Sequence, residues 1–292
     1  MKSFKEEFAM LWDYADELRL KNPGSTIKMV VQRVTPDSFP HFKRFFVCFD
    51  SWKKIWEQGY RPILGLDGYF LKGSFKSELL SAIERDANNQ MYPVAWVVVE
   101  LECTDSWTWP QLRENRKIKL ILLPQKDELV AKDLKSKSPK HWTKAFFGCH
   151  SKCDMVDNNI CEAFNSSILE ARYKSIITML EEIRVKLMTR IVDKRKFCES
   201  WKHNYGPLVK KKFDKSKKDG IEWKMVWNGE NGCEVKMGRK QYIVNILERI
   251  CSCRSWQITG LPCQHACCAI WHMGGGPDDS LVLVHAQKPI MR

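Results

Sequence analysis

The chain of 292 residues is longer than most single domains, so we expect two folded units, each large enough to bury a core. Its 44% hydrophobic content argues against disorder. The 48 Lys and Arg residues exceed the 35 Asp and Glu residues and give a formal charge of +13. This excess favours a polyanionic partner such as nucleic acid over an acidic metabolite.

The sequence predicts no membrane association. The N-terminal residues carry charges throughout and lack the apolar core of a signal peptide. No apolar run approaches the roughly 20 residues of a transmembrane helix. We therefore expect a soluble protein in a reducing compartment, where those of its twelve cysteines that cluster serve as metal ligands rather than as disulfides.

The N-terminal region, residues 1–58, is predicted to contain one helix and two strands. Apolar residues recur at helical spacing over residues 3–20, and the sequence Asn22-Pro23-Gly24 predicts the end of that helix. Residues 26–34 and 42–49 are rich in β-branched and aromatic side chains, which is typical of short strands.

A second region, residues 59–200, is predicted to hold a sheet followed by helices. Residues 62–66, 79–83 and 94–101 indicate three successive strands, with Asp67 just beyond the end of the first. A carboxylate in that place could begin a metal-dependent site. No element is assigned between about 106 and 140, and residues 158–200 predict two helices with a break near 174–175.

The third region is basic and then β-rich. Residues 201–220 carry a run of lysines that predicts a linker, with a nuclear-import signal as the alternative. Residues 222–227, 233–237 and 241–247 alternate apolar and polar side chains, which indicates a small β-meander within a unit spanning residues 221–275. Residues 276–292 are assigned as a tail.

Four potential metal ligands follow the meander in two close pairs. One residue separates the members of each pair and nine residues lie between the pairs, which are Cys251 with Cys253 and Cys263 with His265. Thiolate and imidazole ligands at such spacing suit tetrahedral zinc. A closed set of four protein ligands implies a structural metal, since a catalytic zinc keeps a position open for water.

Other side chains near this set could replace a ligand. Cys267 lies one helical turn after Cys263, and Cys268 and His272 are also close on the helix predicted over residues 264–272. We expect Cys267 and Cys268 to pack in the core instead, as cysteines without a metal commonly do.

The spacing Cys-x-Cys-x9-Cys-x-His, with Trp256 in the gap, resembles the SWIM zinc finger. The resemblance implies a small ββα module that serves DNA binding or protein interaction and follows the transposase core in Mutator-like elements. A module of this size should unfold without its metal, because most of its folding free energy comes from metal binding.

Motifs upstream resemble the transposase core of plant Mutator-like elements. They are NPGST at 22–26, YRPILGLDGYFLKG at 60–73, RDANNQMYPVAW at 85–96, DSWTW at 105–109, KCDMVDNNICEAFNSSILEAR at 152–172 and ITMLEEIRVKLMTR at 177–190. The resemblance implies an α+β protein with a mixed RNase H-like sheet of the integrase type. It also implies three acidic residues that bind two divalent ions for attack on a phosphodiester.

Asp67 matches the first of these acidic residues and Glu162 the third. No segment matches the second, which should follow a later strand, and Asp127 is a weak substitute behind Pro124. We therefore expect an internally truncated core that has lost a strand around residues 110–140. Mg²⁺ or Mn²⁺ would bind only if a catalytic site survives.

The sequence thus predicts a nuclear, transposon-derived zinc protein that binds DNA and lacks transposase activity. One alternative is an active metal-dependent transposase or nuclease. Another is a domesticated regulator that uses the zinc finger to contact protein partners. The DNA target and the oligomeric state do not follow from the sequence.

Overall fold

A computed structural model describes residues 4–58, 63–73, 76–85, 91–108, 119–121, 148, 149, 152, 154, 159–201, 205–227 and 232–281. The protein is of the α+β class and contains two sheets. We call the part before residue 202 the body and residues 205–281 the C-terminal unit. None of the helices described in these ranges combines the length and apolar character needed to cross a membrane.

The N-terminal helical segment is interrupted once. Helix α1 spans Phe4–Ala9 and α2 spans Leu11–Lys21, which buries Leu11, Ala15 and Leu18 as its helical spacing predicted. The side-chain amide of Asn22 donates to the Leu18 carbonyl at 2.9 Å, and Gly24 has a positive φ of 82°. These two features end the helix as expected at the Asn-Pro-Gly sequence.

The body contains a six-stranded sheet in the order β1-β2-β5-β4-β3-β6. Its strands are β1 (Thr26–Gln32), β2 (His41–Cys48), β3 (Ile63–Phe70), β4 (Glu78–Arg85), β5 (Met91–Val99) and β6 (Lys119–Ile121). Neighbouring strands are antiparallel except β3 and β6, which are parallel. The predictions of two early strands and of three successive strands in one sheet are confirmed.

Two expectations about the sheet are wrong. Asp67 lies within β3 and pairs with Ser81 of β4, because pairing with β4 carries the strand on to Phe70. The expected loss of a strand around residues 110–140 is contradicted by β6, in which Ile121 pairs with Gly65. The candidate Asp127 lies outside the described residues.

Helices cover one face of the sheet. Helix α3 (Asp50–Gln58) follows β2, and α5 (Asn159–Ser167) and α6 (Ile176–Glu199) form the predicted helical pair. The short α4 (Thr104–Thr108) follows β5, and its Trp107 packs against the apolar cluster of the opposite face. The break between α5 and α6 spans residues 168–175, contains a short 3-10 turn at Ala171–Tyr173, and ends at the predicted residues 174–175. Phe164 of α5 and Met179 of α6 join Phe45 and Trp96 of the sheet in one buried apolar cluster.

The first turn of α6 is capped from a distant helix. Glu7 of α1 accepts hydrogen bonds from the backbone N–H groups of Ile177 (2.7 Å) and Thr178 (3.2 Å). Burial raises the pKa of Glu7, but these bonds and those from Ser175 and Thr178 outweigh it and lower the pKa below its ordinary value. This contact ties the N-terminus of the chain to the helical layer.

The C-terminal unit begins with a helix where a linker was predicted. Helix α7 spans Pro207–Gly220 and buries Val209, Phe213 and Gly220, so the linker prediction is wrong for these residues. The apolar positions are spaced to face inward together, while the lysines between them face outward or sideways.

The rest of this unit follows the predicted order. Strands β7 (Lys224–Trp227), β8 (Gly232–Met237) and β9 (Lys240–Asn245) form the expected antiparallel meander, and β10 (Ile250–Cys251) pairs with β9. The meander turn uses Gly238 at a positive φ of 57°. Two helices follow, α8 (Ser255–Thr259) and α9 (Gln264–His272), the second with the predicted bounds.

Candidate metal centre

Local backbone geometry brings the two pairs of potential ligands together. Cys251 ends β10, and Arg254 adopts a left-handed φ of 63° so that its N–H donates to the Cys251 carbonyl at 2.8 Å. This tight turn carries Cys253. Gly260, with a φ of 75°, ends α8, and Cys263 then occupies the N-cap position of α9 with His265 in its first turn.

The four ligand atoms form one compact group. The Sγ atoms of Cys251, Cys253 and Cys263 and a ring nitrogen of His265 all lie within 4.8 Å of one another. His265 Nδ1 is 3.5 Å from Cys251 Sγ and 3.8 Å from Cys263 Sγ. Tetrahedral zinc, with Zn–S near 2.3 Å and Zn–N near 2.0 Å, would set a nitrogen and a sulfur about 3.5 Å apart. The cluster therefore fits a zinc ion in spacing and in donor chemistry.

Aromatic side chains fix the orientation of the His265 ring. The ring of Tyr242 stacks on it at a centroid distance of 3.9 Å, and the ring of Trp223 meets it edge-on at 4.2 Å. Its Nε2 lies 3.3 Å from the side-chain amide of Gln264. Nδ1 faces the thiols and is therefore the ring nitrogen placed to bind a metal ion.

Hydrogen bonds among the thiols shift their pKa values in opposite directions. A hydrogen bond from Cys251, followed by one from Cys263, lowers the pKa of Cys253, whereas the bonds to Cys253 and Cys263 raise the pKa of Cys251. Because zinc binds the thiolate, metal binding would displace the protons that Cys251 and Cys263 retain. Zinc affinity in this cluster should therefore fall as the pH is lowered.

The other side chains that could have replaced a metal ligand do not join the cluster. Cys267 and Cys268 are buried, and their thiols donate to the carbonyls of Pro262 (3.8 Å) and Trp223 (3.3 Å). Burial raises the pKa of Cys267 to about 12, which disfavours its thiolate. His272 is exposed at the end of α9. Cys267 and Cys268 thus pack in the core, as expected.

The cluster has the donors and spacing of a structural zinc site of the Cys3His type. Residues 242–274 match the protein-family model described as the SWIM zinc finger, and this range contains all four side chains. No curated protein and no solved structure matches the chain. The C-terminal unit therefore contains a SWIM zinc finger, called the finger below, whose Cys/His cluster is consistent with structural zinc.

Several supports of the finger were not anticipated from the sequence. Trp223 and Tyr242 come from the meander, and their contact with His265 depends on the fold of the sheet. Lys152 donates to the Gln257 carbonyl at 3.1 Å, and Arg254 donates to Cys149 Sγ at 3.6 Å. The periodicity of the meander marks Tyr242 as inward-facing, but no local pattern assigns its partner.

The two acidic residues of the body lie near each other. Asp67 is half-buried on the face of β3 that α5 covers, where the Tyr69 hydroxyl donates to the Cys161 carbonyl at 3.0 Å. Glu162, the next residue of α5, is exposed. Burial raises the pKa of Asp67 most, and the charges of Glu102 and Glu162 raise it further.

Arg172 fixes the position of α5 relative to β3. Its guanidinium donates to the Phe70 carbonyl, at 2.9 Å from Nε, and also to the Asn165 side chain. The Lys72 N–H donates back to the Arg172 carbonyl at 2.8 Å. These bonds tie the residues after α5 to the end of β3 and hold Glu162 in the neighbourhood of Asp67.

Glu102 is an acidic neighbour that the sequence did not reveal. A Cβ on Gly68 would collide with its carboxylate, so Glu102 lies on the opposite face of β3 from Asp67. The Trp107 indole donates to Glu102 Oε1 at 3.0 Å, and the Glu102 N–H donates to Glu78 at 2.6 Å. The absence of a side chain at Gly68 is the local signal that something approaches the strand there.

Proposed function

We propose that this chain is a transposase-derived protein that binds DNA, contains a zinc-stabilised finger and lacks transposase activity. The main observation in support of this proposal is the compact Cys/His cluster within a SWIM zinc finger. We assign Cys251, Cys253, Cys263 and His265 as the zinc ligands, a closed set with no position for a reacting water. The formal charge of +13 supports a polyanionic partner.

The proposed origin rests on the motifs of the body and on the placement of two carboxylates. Asp67 lies on β3 beside the parallel strand β6, and Glu162 lies on a helix that packs against the same face of the sheet. The resemblance to Mutator-like transposases implies this placement for the first and third acidic residues. It also implies an RNase H-like sheet, which the parallel pairing of β6 supports.

The proposed loss of activity rests on the number of carboxylates. Two-metal attack on a phosphodiester requires a third acid beside Asp67 and Glu162. Glu102 is not the third metal-binding acid, because it lies on the opposite face of β3 from Asp67 and accepts a hydrogen bond from the Trp107 indole. Within the described residues, no third acid joins the pair in a group compact enough to share a metal.

A titration of DNA binding against salt tests the proposal. Purified protein loaded with zinc should bind duplex DNA at low salt, and the logarithm of affinity should fall linearly with the logarithm of salt concentration. The same preparation should leave supercoiled DNA intact in Mg²⁺ or Mn²⁺. An absence of binding at low salt would remove the proposed function.

A metal-dependent nuclease is the second candidate, and β6 favours it. Ile121 ends β6 beside Gly65, two residues before Asp67, and the resemblance implies that the second acidic residue follows such a strand. This candidate predicts nicking of supercoiled DNA in Mg²⁺ or Mn²⁺ that the Asp67→Ala variant lacks. Intact DNA after incubation with unmutated protein rejects it.

We further propose a nuclear location, because the nucleus holds most of the DNA of a cell that has one. A fluorescent fusion of the full chain should accumulate in the nucleus. Exclusion of the fusion from the nucleus would contradict the proposed location without bearing on DNA binding in solution.

A further inference from the structure

The lysines of α7 fall into two sets. Lys210 and Lys217 form ion pairs with Asp214 at 2.8 and 3.3 Å. Lys217 also pairs with Asp278 at 3.3 Å, and Lys212 pairs with Asp154 at the same distance. The charges of this first set are already neutralised by nearby carboxylates.

The second set, which we call the lysine stripe, consists of Lys211, Lys215 and Lys218. All three are exposed, and within the part of the chain that the structure describes none of them forms an ion pair. Their spacing of four and three residues places them on one line along the helix. Because Val209 and Phe213 face inward, this line points to solvent.

The dimensions of the stripe fit a phosphodiester backbone. With a rise of 1.5 Å per residue, Lys211 and Lys218 lie about 10.5 Å apart along the helix axis. One strand of duplex DNA presents a phosphate about every 3.4 Å of its axis, or about three phosphates over this length. The stripe would therefore present three ammonium groups to a comparable number of phosphates.

The finger holds the stripe in a defined position. A Cβ on Gly220 would lie 2.8 Å from the Gln264 carbonyl and 3.2 Å from Cys267 Cβ, so α7 and α9 are in close contact. Asp278, which follows α9, adds the ion pair to Lys217. A helix held in this way presents its lysines as a fixed row and not as a flexible chain.

We propose that the lysine stripe is a binding site for the phosphate backbone of nucleic acid. This inference rests on the proposed function and assigns DNA binding to one surface of the C-terminal unit. Contacts to phosphate give affinity without sequence readout, so the stripe positions the protein on the duplex. The ion-paired lysines of the same helix do not take part.

Two triple variants of the full zinc-loaded chain test the assignment. The stripe variant carries Lys211→Gln, Lys215→Gln and Lys218→Gln. The matched control carries Lys210→Gln, Lys212→Gln and Lys217→Gln, which removes the same charge from the same helix. Both are titrated with a short fluorescent duplex of arbitrary sequence at several salt concentrations, after zinc content and circular dichroism show that they are folded.

The plot of log affinity against log salt concentration should be less steep for the stripe variant than for the unmutated protein. The slope should be smaller in magnitude by about 2.7, which is about 0.9 for each of three lost phosphate contacts. Its dissociation constant at low salt should rise roughly 100-fold, whereas the control should change several-fold at most. Equal losses in both variants, or an unchanged slope in the stripe variant, would overturn the assignment while leaving DNA binding in place.

Two further outcomes separate the two proposals. Unmutated protein that fails to bind the duplex at low salt removes the proposed function, and the assignment with it. If the unmutated protein binds polyglutamate more tightly than DNA, and the stripe variant loses that binding, the partner of the stripe is an acidic protein. This result would overturn the assignment to nucleic acid.

Discussion

The body and the C-terminal unit bury different kinds of side chain. The body is built on large aliphatic and aromatic residues, such as Phe45, Leu79, Phe164 and Met179, which are fully buried between the sheet and its helices. The core of the C-terminal unit is smaller and contains four cysteines, namely Cys233, Cys251, Cys263 and Cys268. Apolar burial can stabilise the body by itself, whereas a unit with so small a core needs another source of stability.

The metal supplies that source in our account. Structural zinc contributes an apparent free energy of about 10–16 kcal/mol in zinc-finger peptides. The contrast between the two regions therefore predicts that each can be unfolded while the other keeps its structure. The following variants test that independence, starting with the largest expected effect.

The largest effect should follow loss of a proposed zinc ligand. Cys263→Ser should abolish zinc binding and unfold the finger, because three ligands cannot close the tetrahedral site. Elemental analysis of zinc and peptide-resolved hydrogen exchange measure the two effects. Cys268→Ser, at a buried thiol outside the cluster, is the matched control and should retain zinc. Zinc loss in the control alone would reverse the ligand assignment.

A cavity in the core of the body should destabilise the body and leave the finger folded. Phe164→Ala removes a fully buried ring that packs near Tyr69 and should lower the free energy of unfolding of the body by about 3–5 kcal/mol. Zinc content should not change. Leu169→Ala, at a residue that is 50% exposed just after α5, should stay within about 0.5 kcal/mol in the same denaturant titration. Loss of zinc from the Phe164 variant would show that the regions are coupled.

A smaller effect is expected where α7 meets the finger. Gly220→Ala places a Cβ 2.8 Å from the Gln264 carbonyl, and the resulting shift should cost about 1–3 kcal/mol. Hydrogen exchange in α7 should increase while the zinc remains bound. Lys218→Ala, two residues earlier on the exposed side, should leave exchange unchanged. Protection of α7 equal to that of the unmutated chain would contradict the close packing.

The smallest effect should come from the cap of α6. Glu7→Gln removes a carboxylate that accepts two backbone N–H groups and should destabilise the body by about 1 kcal/mol near neutral pH. Because the folded pKa of Glu7 is lowered, its contribution is present above the ordinary pKa of 4.5 and is lost as the pH falls through the folded value.

Urea titrations at several pH values measure this difference. The gap in stability between unmutated chain and Glu7→Gln should close below pH 4.5, whereas Asp13→Asn, at an exposed residue of α2, should show no such gap. A gap that widens on acidification would contradict the sign of the shift.

Local sequence signals predicted much of this structure. The bounds of α9 and the break near 174–175 follow from periodicity and from Gly, Pro and Ser positions that act over a few residues. The cluster of Cys251, Cys253, Cys263 and His265 was predicted because its spacing lies within one short segment. Features of this kind need no knowledge of distant partners.

The wrong predictions concern features set by distant contacts. Pairing with β4 extends β3 through Asp67, and pairing with β3 makes a strand of three residues in β6. In α7 the lysines conceal an apolar face that consists of Val209, Phe213 and Gly220. That face becomes evident only when the finger is present to cover it.

Zinc removal, followed by hydrogen exchange across the whole chain, tests the central claim most directly. The purified protein should contain one zinc ion per chain, and chelation should increase exchange over residues 242–274 while β3, β4 and β5 stay protected. Protein that contains no zinc, or a finger whose exchange is unchanged by chelation, would contradict the account.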